Sequence, residues 1–409
     1  MPNDEPDSTA PEKTPPDAGG LSVSLADSFR QRLAREGHVA LQDLWDDLLF
    51  VRLVRAPRMA LRPERLALGL VMLLAIVGAT GVVSALTGRA FPNAAVFQTV
   101  ELVAVEIVQD LRYADLSTLP GGLEIIAIEI GRLATEQPLG FVLFVVIGAS
   151  LWSVCGVAIG RAVALETCVG ARSGLRASLR FAVRRAGSAI GAVLMLPTFA
   201  AAGLIAAGGI GALLFALPGL EIIGGALFGF TLAFGGVVAV VGLAYVLAFP
   251  VLTQAIAVED DDAFDALQRA LAYVIARPLA LTVYVGLALV QGVALTLLIW
   301  WLASLALDIA SASIGVFGGR GGSTMADAFD RNGAAGIVGS LLRVWAAAPV
   351  ALAGAFAVSY VHSAGTIVYL LMRRIVDGQD IEVIYIDESA SSGKSQGSSV
   401  SGSSSSGVD

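Results

Sequence analysis

Along most of this chain apolar residues come in long runs and polar residues in short bursts between them. Leu66 to Leu86 (LALGLVMLLAIVGATGVVSAL) carries no charged residue, and about 20 such residues are what a helix needs to cross a hydrocarbon core. Comparable runs cover about 138–160, 278–301 and 345–372. Between 188 and 250 lies a single apolar region that reads either as two long spans broken at Pro218-Gly219 or as three short ones. Ahead of the first run, Leu41, Leu44, Trp45, Leu48 and Val51 repeat at helical spacing opposite Asp43, Asp46 and Asp47. That pattern predicts an amphipathic helix, lying on the membrane surface or packed on the protein's own loops.

Charge orients the runs. Arg52, Arg55, Arg58, Arg62 and Arg65 crowd the entrance of the first span, which by the positive-inside rule holds the N-terminus in the cytoplasm. The loop Thr87 to Gln137 carries seven acidic residues against Arg89, Arg112 and Arg132, as an external loop should. Its segments VFQTVELVAVEIVQDL and GGLEIIAIEIGRL are apolar enough to lie on the outer surface. After the second span, Arg161, Arg172, Arg176, Arg180, Arg184 and Arg185 face a lone Glu166, which predicts a cytoplasmic elbow.

The number of crossings in 188–250 flips everything downstream. Two spans place Arg269, Arg277, Arg373 and Arg374 inside and Arg320, Arg331 and Arg343 outside, a margin of one. A weak internal repeat adds to it: GLRASLRFAVRR resembles AFDALQRALAYVIARP, with Ala177 and Arg180 matching Ala266 and Arg269. Equivalent elbows belong on the same side. The expected fold is therefore an all-α, polytopic transmembrane bundle of six spans, about 66–86, 138–160, 188–216, 222–250, 278–301 and 345–372, with both termini cytoplasmic. Flanking it are a disordered N-terminal tail (1–23), a cytoplasmic amphipathic helix with its basic flank (24–65), and a cytoplasmic tail (375–409) that is nearly all Ser and Gly from about 389. Asp308 to Arg343 reads as a flexible Gly-rich outer loop.

Composition agrees. With 56% hydrophobic and 15% charged residues and a mean hydropathy of +0.78, the bilayer is this chain's solvent. The net charge of −8 arises mainly in the tails, one outer loop and one short cluster, so it says little about partners. No nucleic-acid partner is expected. Of 26 basic residues only Lys13 and Lys394 are lysines.

Catalytic motifs are missing. There is no Gly-rich phosphate loop, GxSxG elbow or HExxH helix, and no aspartate at mid-span. With only His38 and His362, and with Cys155 and Cys168 set apart along one helix, neither a metal centre nor a disulfide is expected, and no cofactor is called for. The run Glu259-Asp260-Asp261-Asp262 with Asp265 lacks the spacing of a calcium loop and suits the N-terminus of the following helix.

Three constellations remain. His362, near the middle of the sixth span among Ser359, Tyr360, Ser363 and Thr366, is an ionisable residue at a depth where such residues are costly. Gln291, at mid-depth of the fifth span, is its candidate partner, for a proton or substrate contact or for a structural hydrogen bond between helices. Glycines four apart (Gly156/Gly160, Gly187/Gly191, Gly225/Gly229) allow close helix approach, within the chain or at a pore or homodimer face. Arg176, Arg180 and Arg184 share one helix face, next to Leu175, Leu179 and Val183. Such a helix would lie in the interface among lipid phosphates, although the same arginines could serve only topology or pair with Glu259 to Asp265.

PRMALRPERLALGL, WSVCGVAIGRAVALE with LRASLRFAVRR, AIAVEDDDAFDALQRALAYVIARP and YLLMRRIVDGQDIEVIYID together resemble a family of uncharacterised bacterial six-span inner-membrane proteins, over about residues 45–388. The motif V-E-x-x-x-A-x-x-A-L-x-R-A is also similar to the membrane domain that accompanies some glycerophosphodiester phosphodiesterases, without a phosphodiesterase domain in this sequence. The resemblance implies a multi-pass protein of the inner (plasma) membrane and carries over no site residue. The expected role is a non-enzymatic scaffold or accessory component contacting membrane lipids or a protein partner, with a homo-oligomer open. The alternative is a small-solute transporter or channel-like protein.

Overall fold

The computed structural model describes residues 49–88, 91, 119–317 and 337–379. The chain divides into two units at Arg52 and Leu53; the second holds the bundle. Among the described residues every element is helical. Most of the N-terminal amphipathic segment, most of the first half of the acidic outer loop, residues 318–336 of the Gly-rich loop and the tail beyond 379 lie outside them; the loop expected over 308–343 is helical at both flanks, to Phe317 and again from Ile337.

Among the described residues six helices are long and apolar enough to cross a membrane. A short helix α1 (Ala56–Ala60) leads into α2 (Pro63–Thr87). Next come α3 (Leu119–Glu136), α4 (Pro138–Val169), the elbow helix α5 (Leu175–Arg184) and α6 (Ala186–Ala216). The remaining elements are α7 (Glu221–Glu259), the elbow helix α8 (Ala263–Ala276), α9 (Pro278–Phe317) and α10 (Ile337–Val376). Between α6 and α7 the chain turns at Leu217–Leu220, where Gly219 takes φ +91° and the Leu220 N–H bonds the Leu217 carbonyl at 3.1 Å. The apolar region 188–250 is thus two helices, not three.

Several helices outrun the spans expected from hydropathy: α4 continues to Val169 rather than 160, and α7 to Glu259 rather than 250. Their carboxylates, Glu166 and Glu259, are held by arginines of neighbouring elements, which keeps the last turns helical beyond the apolar run.

Helix α10 is the centre of the bundle, touching α1, α2, α4, α7 and α9. Its most apolar window is 83% buried, against 6% for α7 and 11% for α9. In lipid that contrast is the stable arrangement: outer helices need no polar surface, whereas α10 carries Ser359, His362, Ser363 and Thr366, all buried. Close approach depends on glycine. A Cβ on Gly69 of α2 would lie 2.4 Å from the Ala355 carbonyl oxygen of α10, and one on Gly365 of α10 would lie 2.3 Å from the Pro250 carbonyl oxygen of α7. Of the three four-residue glycine pairs, Gly156/Gly160 is the one packed at both members; Gly225 and Gly229 face open space.

Candidate functional site

Ion pairs gather one end of α2, α4, α7 and α10 with both elbows. Arg62 and Arg65, at the start of α2, bind the two oxygens of Glu166 near the end of α4 at 2.5 and 2.6 Å. Arg65 is buried and also donates to the Met59 and Ala162 carbonyls at 2.8 and 3.1 Å. Arg185, just past α5, grips Asp260 with both arms, Nε to Oδ1 at 2.5 Å and Nη2 to Oδ2, and stands 3.8 Å from Asp262. The two elbows therefore sit at the same end, as the internal repeat predicts.

Glu259 is the hub of this end. It pairs with Arg269 of α8, with Arg373 Nε of α10 at 3.1 Å, and accepts the Tyr369 hydroxyl at 2.7 Å. Tyr273 of α8 donates to Asp377 at 2.6 Å; burial and that carboxylate push its phenol pKa up. Asp260 occupies a left-handed conformation, φ +65°, as the C-cap of α7, and Asp262 stands at the N-cap position of α8 without a side-chain capping bond. The acidic run therefore serves arginines more than the helix N-terminus. Competition with main-chain N–H groups is lost because guanidinium offers a charged, bidentate donor.

Asp261 differs from its neighbours. Burial, then the carboxylates of Asp265, Asp260 and Asp262, raise its pKa to about 6 against the pull of Arg373, and Arg269 Nε is 3.4 Å away. A carboxyl with a folded pKa above its unfolded value contributes stability that is full below the unfolded value and is lost as pH rises through about 6. Asp261→Asn should accordingly match wild type near pH 4 and exceed it increasingly up to pH 7.5, by a few degrees in apparent Tm. A gap that does not vary with pH would show that Asp261 titrates normally.

The arginine face predicted for the first elbow is present and open. On α5, Ser178 and Ala182 are buried in the face turned to the bundle, and the Arg161 guanidinium of α4 lies 4.6 Å above the ring of Phe181. Leu175, Leu179 and Val183 are 36%, 37% and 60% exposed, and Arg176, Arg180 and Arg184 are exposed on the adjacent stripe. The acidic cluster on the second elbow takes Arg185, not these three. No Asp or Glu occurs between Glu166 and Glu221, so the elbow supplies the row with no counter-charge of its own.

The second candidate lies inside the bundle. His362 is 2% exposed, with its ring 4.4 Å from Trp152 of α4. Its neighbour across the interface is Gln254 of α7, whose Nε2 stands 3.5 Å from His362 Nδ1 and 3.1 Å from Thr253 Oγ1, and whose Oε1 accepts from Thr366 at 2.9 Å. Gly156 and Gly160 of α4 make room: a Cβ there would come within 2.7 Å of His362 Cε1 and 1.9 Å of Gln254 Oε1. His362 Nε2 and Ser363 Oγ are buried without a hydrogen-bond partner among the described residues.

Gln291 is not the partner expected of it. It accepts instead from the Tyr360 hydroxyl at 3.0 Å, which also bonds the Ala288 carbonyl at 2.9 Å. Tyr360 and His362 are two residues apart, about 200° around a helix, so α9 meets one and α7 the other. Gln254 follows Pro250 and so falls outside the span expected over 222–250, which hides it from a search of span interiors. A lone glutamine inside Val251–Val258, eight consecutive buried residues, is the signal that marks it.

No protein-family model, curated protein or solved structure matches this chain.

Proposed function

We propose that this multi-pass membrane protein is a non-enzymatic scaffold of the inner membrane whose basic elbow grips anionic lipid from the cytoplasmic side. The observation that carries the reading is the α5 surface: three exposed arginines in a row, flanked by exposed leucines and a valine, on a helix placed between the ends of two spans. An exposed apolar stripe beside a cationic one is stable where hydrocarbon and phosphate meet. The ion pairs supply the rest of a scaffold, since they join α2 to the end of α4, the first elbow to the end of α7, and the end of α7 to α8 and α10. By the positive-inside rule this arginine-bearing end and both termini are cytoplasmic.

Each arginine near an anionic surface contributes about 1 kcal/mol. Changing Arg176, Arg180 and Arg184 together to Gln should weaken binding of anionic phospholipid by about a hundredfold, with insertion and topology confirmed by terminal reporters. Unchanged lipid binding in purified protein would sink the reading.

The transporter reading rests on the buried His362 Nε2 and Ser363 Oγ that lack partners. A solute flux lost in His362→Ala, at unchanged folded yield, would favour it over the scaffold.

A further inference from the structure

We infer that the α5 surface selects a lipid bearing two linked phosphates, of the diphosphatidylglycerol class, over lipids with one; this rests on the lipid-gripping reading above. Arg176, Arg180 and Arg184 follow one another at four-residue intervals on a continuous helix, which sets neighbours about 6 Å apart and the ends about 12 Å apart along the axis. Three guanidinium groups so spaced repel one another unless anions lie between them. Among the described residues no ion pair reaches them: Glu166 is taken by Arg62 and Arg65, and Asp260 and Asp262 by Arg185.

A lipid with a single phosphate answers one arginine, and each further neutralisation needs another independent molecule. Two phosphates joined by a three-carbon bridge lie about one helical turn apart, so the second engages at high effective concentration once the first is held. Planar guanidinium forks suit this, because each can take two oxygens of one phosphate. The stripe of Leu175, Leu179 and Val183 lies directly beside the row, where the acyl chains of a bound lipid leave its headgroup. The opposite face of α5 is closed by Ser178 and Ala182, so the lipid has one side from which to approach.

The middle arginine is then distinguished from the outer two. Losing Arg176 or Arg184 leaves an adjacent pair one turn apart, whereas losing Arg180 leaves two arginines two turns apart, beyond the reach of one bridged headgroup. A mere count of charges makes the three equivalent.

The experiment uses the full-length protein, delipidated in neutral detergent and titrated with diphosphatidylglycerol or phosphatidylglycerol at equal phosphate concentration. Wild type should bind the two-phosphate lipid about tenfold more tightly per phosphate. Arg180→Gln should bring that ratio to within about twofold of unity, while Arg176→Gln and Arg184→Gln keep most of it. Arg277→Gln, on the other elbow, serves as the control and should change nothing. Equal affinity per phosphate in wild type, with binding still dependent on the three arginines, would overturn the two-phosphate selectivity and leave lipid gripping intact. So would equal losses from all three single variants. Binding that ignores the triple change would overturn both.

Discussion

Gly365→Ala should be among the most damaging single-methyl changes in this protein, lowering the apparent Tm in detergent by about 5 °C and cutting the yield of folded protein. In an exposed helix the same change would help, since alanine exceeds glycine in helix propensity by about 1 kcal/mol. Here the added Cβ would sit 2.3 Å from the Pro250 carbonyl oxygen, a backbone atom that no rotamer change can move. The only relief is to part α10 from α7, and forced overpacking of this kind costs about 1–3 kcal/mol or more. Parting them would also pull Thr366 and His362 away from Gln254. Gly69→Ala should behave alike, because its Cβ would meet the Ala355 carbonyl oxygen at 2.4 Å. Gly225→Ala, with nothing within 4 Å, should leave the apparent Tm unchanged or slightly raised. If all three variants melted together, the close helix contacts around α10 would not be what holds the bundle.

The comparison of these glycines shows what hydropathy and spacing can and cannot convey. Six apolar runs identified six helices because a bilayer demands that each crossing segment satisfy its own backbone. The repeated elbows pointed to two helices in 188–250 because Ala177 and Arg180 match Ala266 and Arg269 in position after successive spans. Spacing of small residues, however, was equally present at Gly156/Gly160 and Gly225/Gly229, and only the first pair is packed. The period says that a face is smooth, not that another helix lies against it. Depth likewise proposed Gln291 for His362, but depth is a coordinate along the axis and contact also needs the angle around it. Tyr360 turned toward α9 and His362 toward α4 and α7, which no single-helix pattern reveals. For α5 the angle was legible, because three arginines and three apolar residues on adjacent stripes already specify the direction of water, phosphate and hydrocarbon.

Glu259→Ala should cost about 2–3 kcal/mol, less than the about 3–5 kcal/mol for breaking a fully buried pair, because Glu259 and Arg269 remain 15% and 31% exposed. The carboxylate gathers Arg269 from α8, Arg373 from α10 and the Tyr369 hydroxyl, and the Arg373 side chain is only 5% exposed. Removing it strands cationic charge in a site built around an anion, and leaves the neighbouring Asp261, already reluctant to ionise, as the nearest substitute. Glu259→Gln should fall between, since an amide oxygen can still accept from Tyr369 but cannot balance two guanidinium groups. Asp265→Ala, at an exposed position on the same elbow, should be nearly silent and so controls for the loss of one negative charge. The decisive readout is stability against the pairing partner: with Arg269→Gln already in place, Glu259→Ala should cost less than it does alone, because part of the stranded charge is gone. Strict additivity of the two changes would mean that Glu259 and Arg269 act independently, and that α8 is held to the bundle by its apolar face and the Tyr273–Asp377 hydrogen bond rather than by this pair.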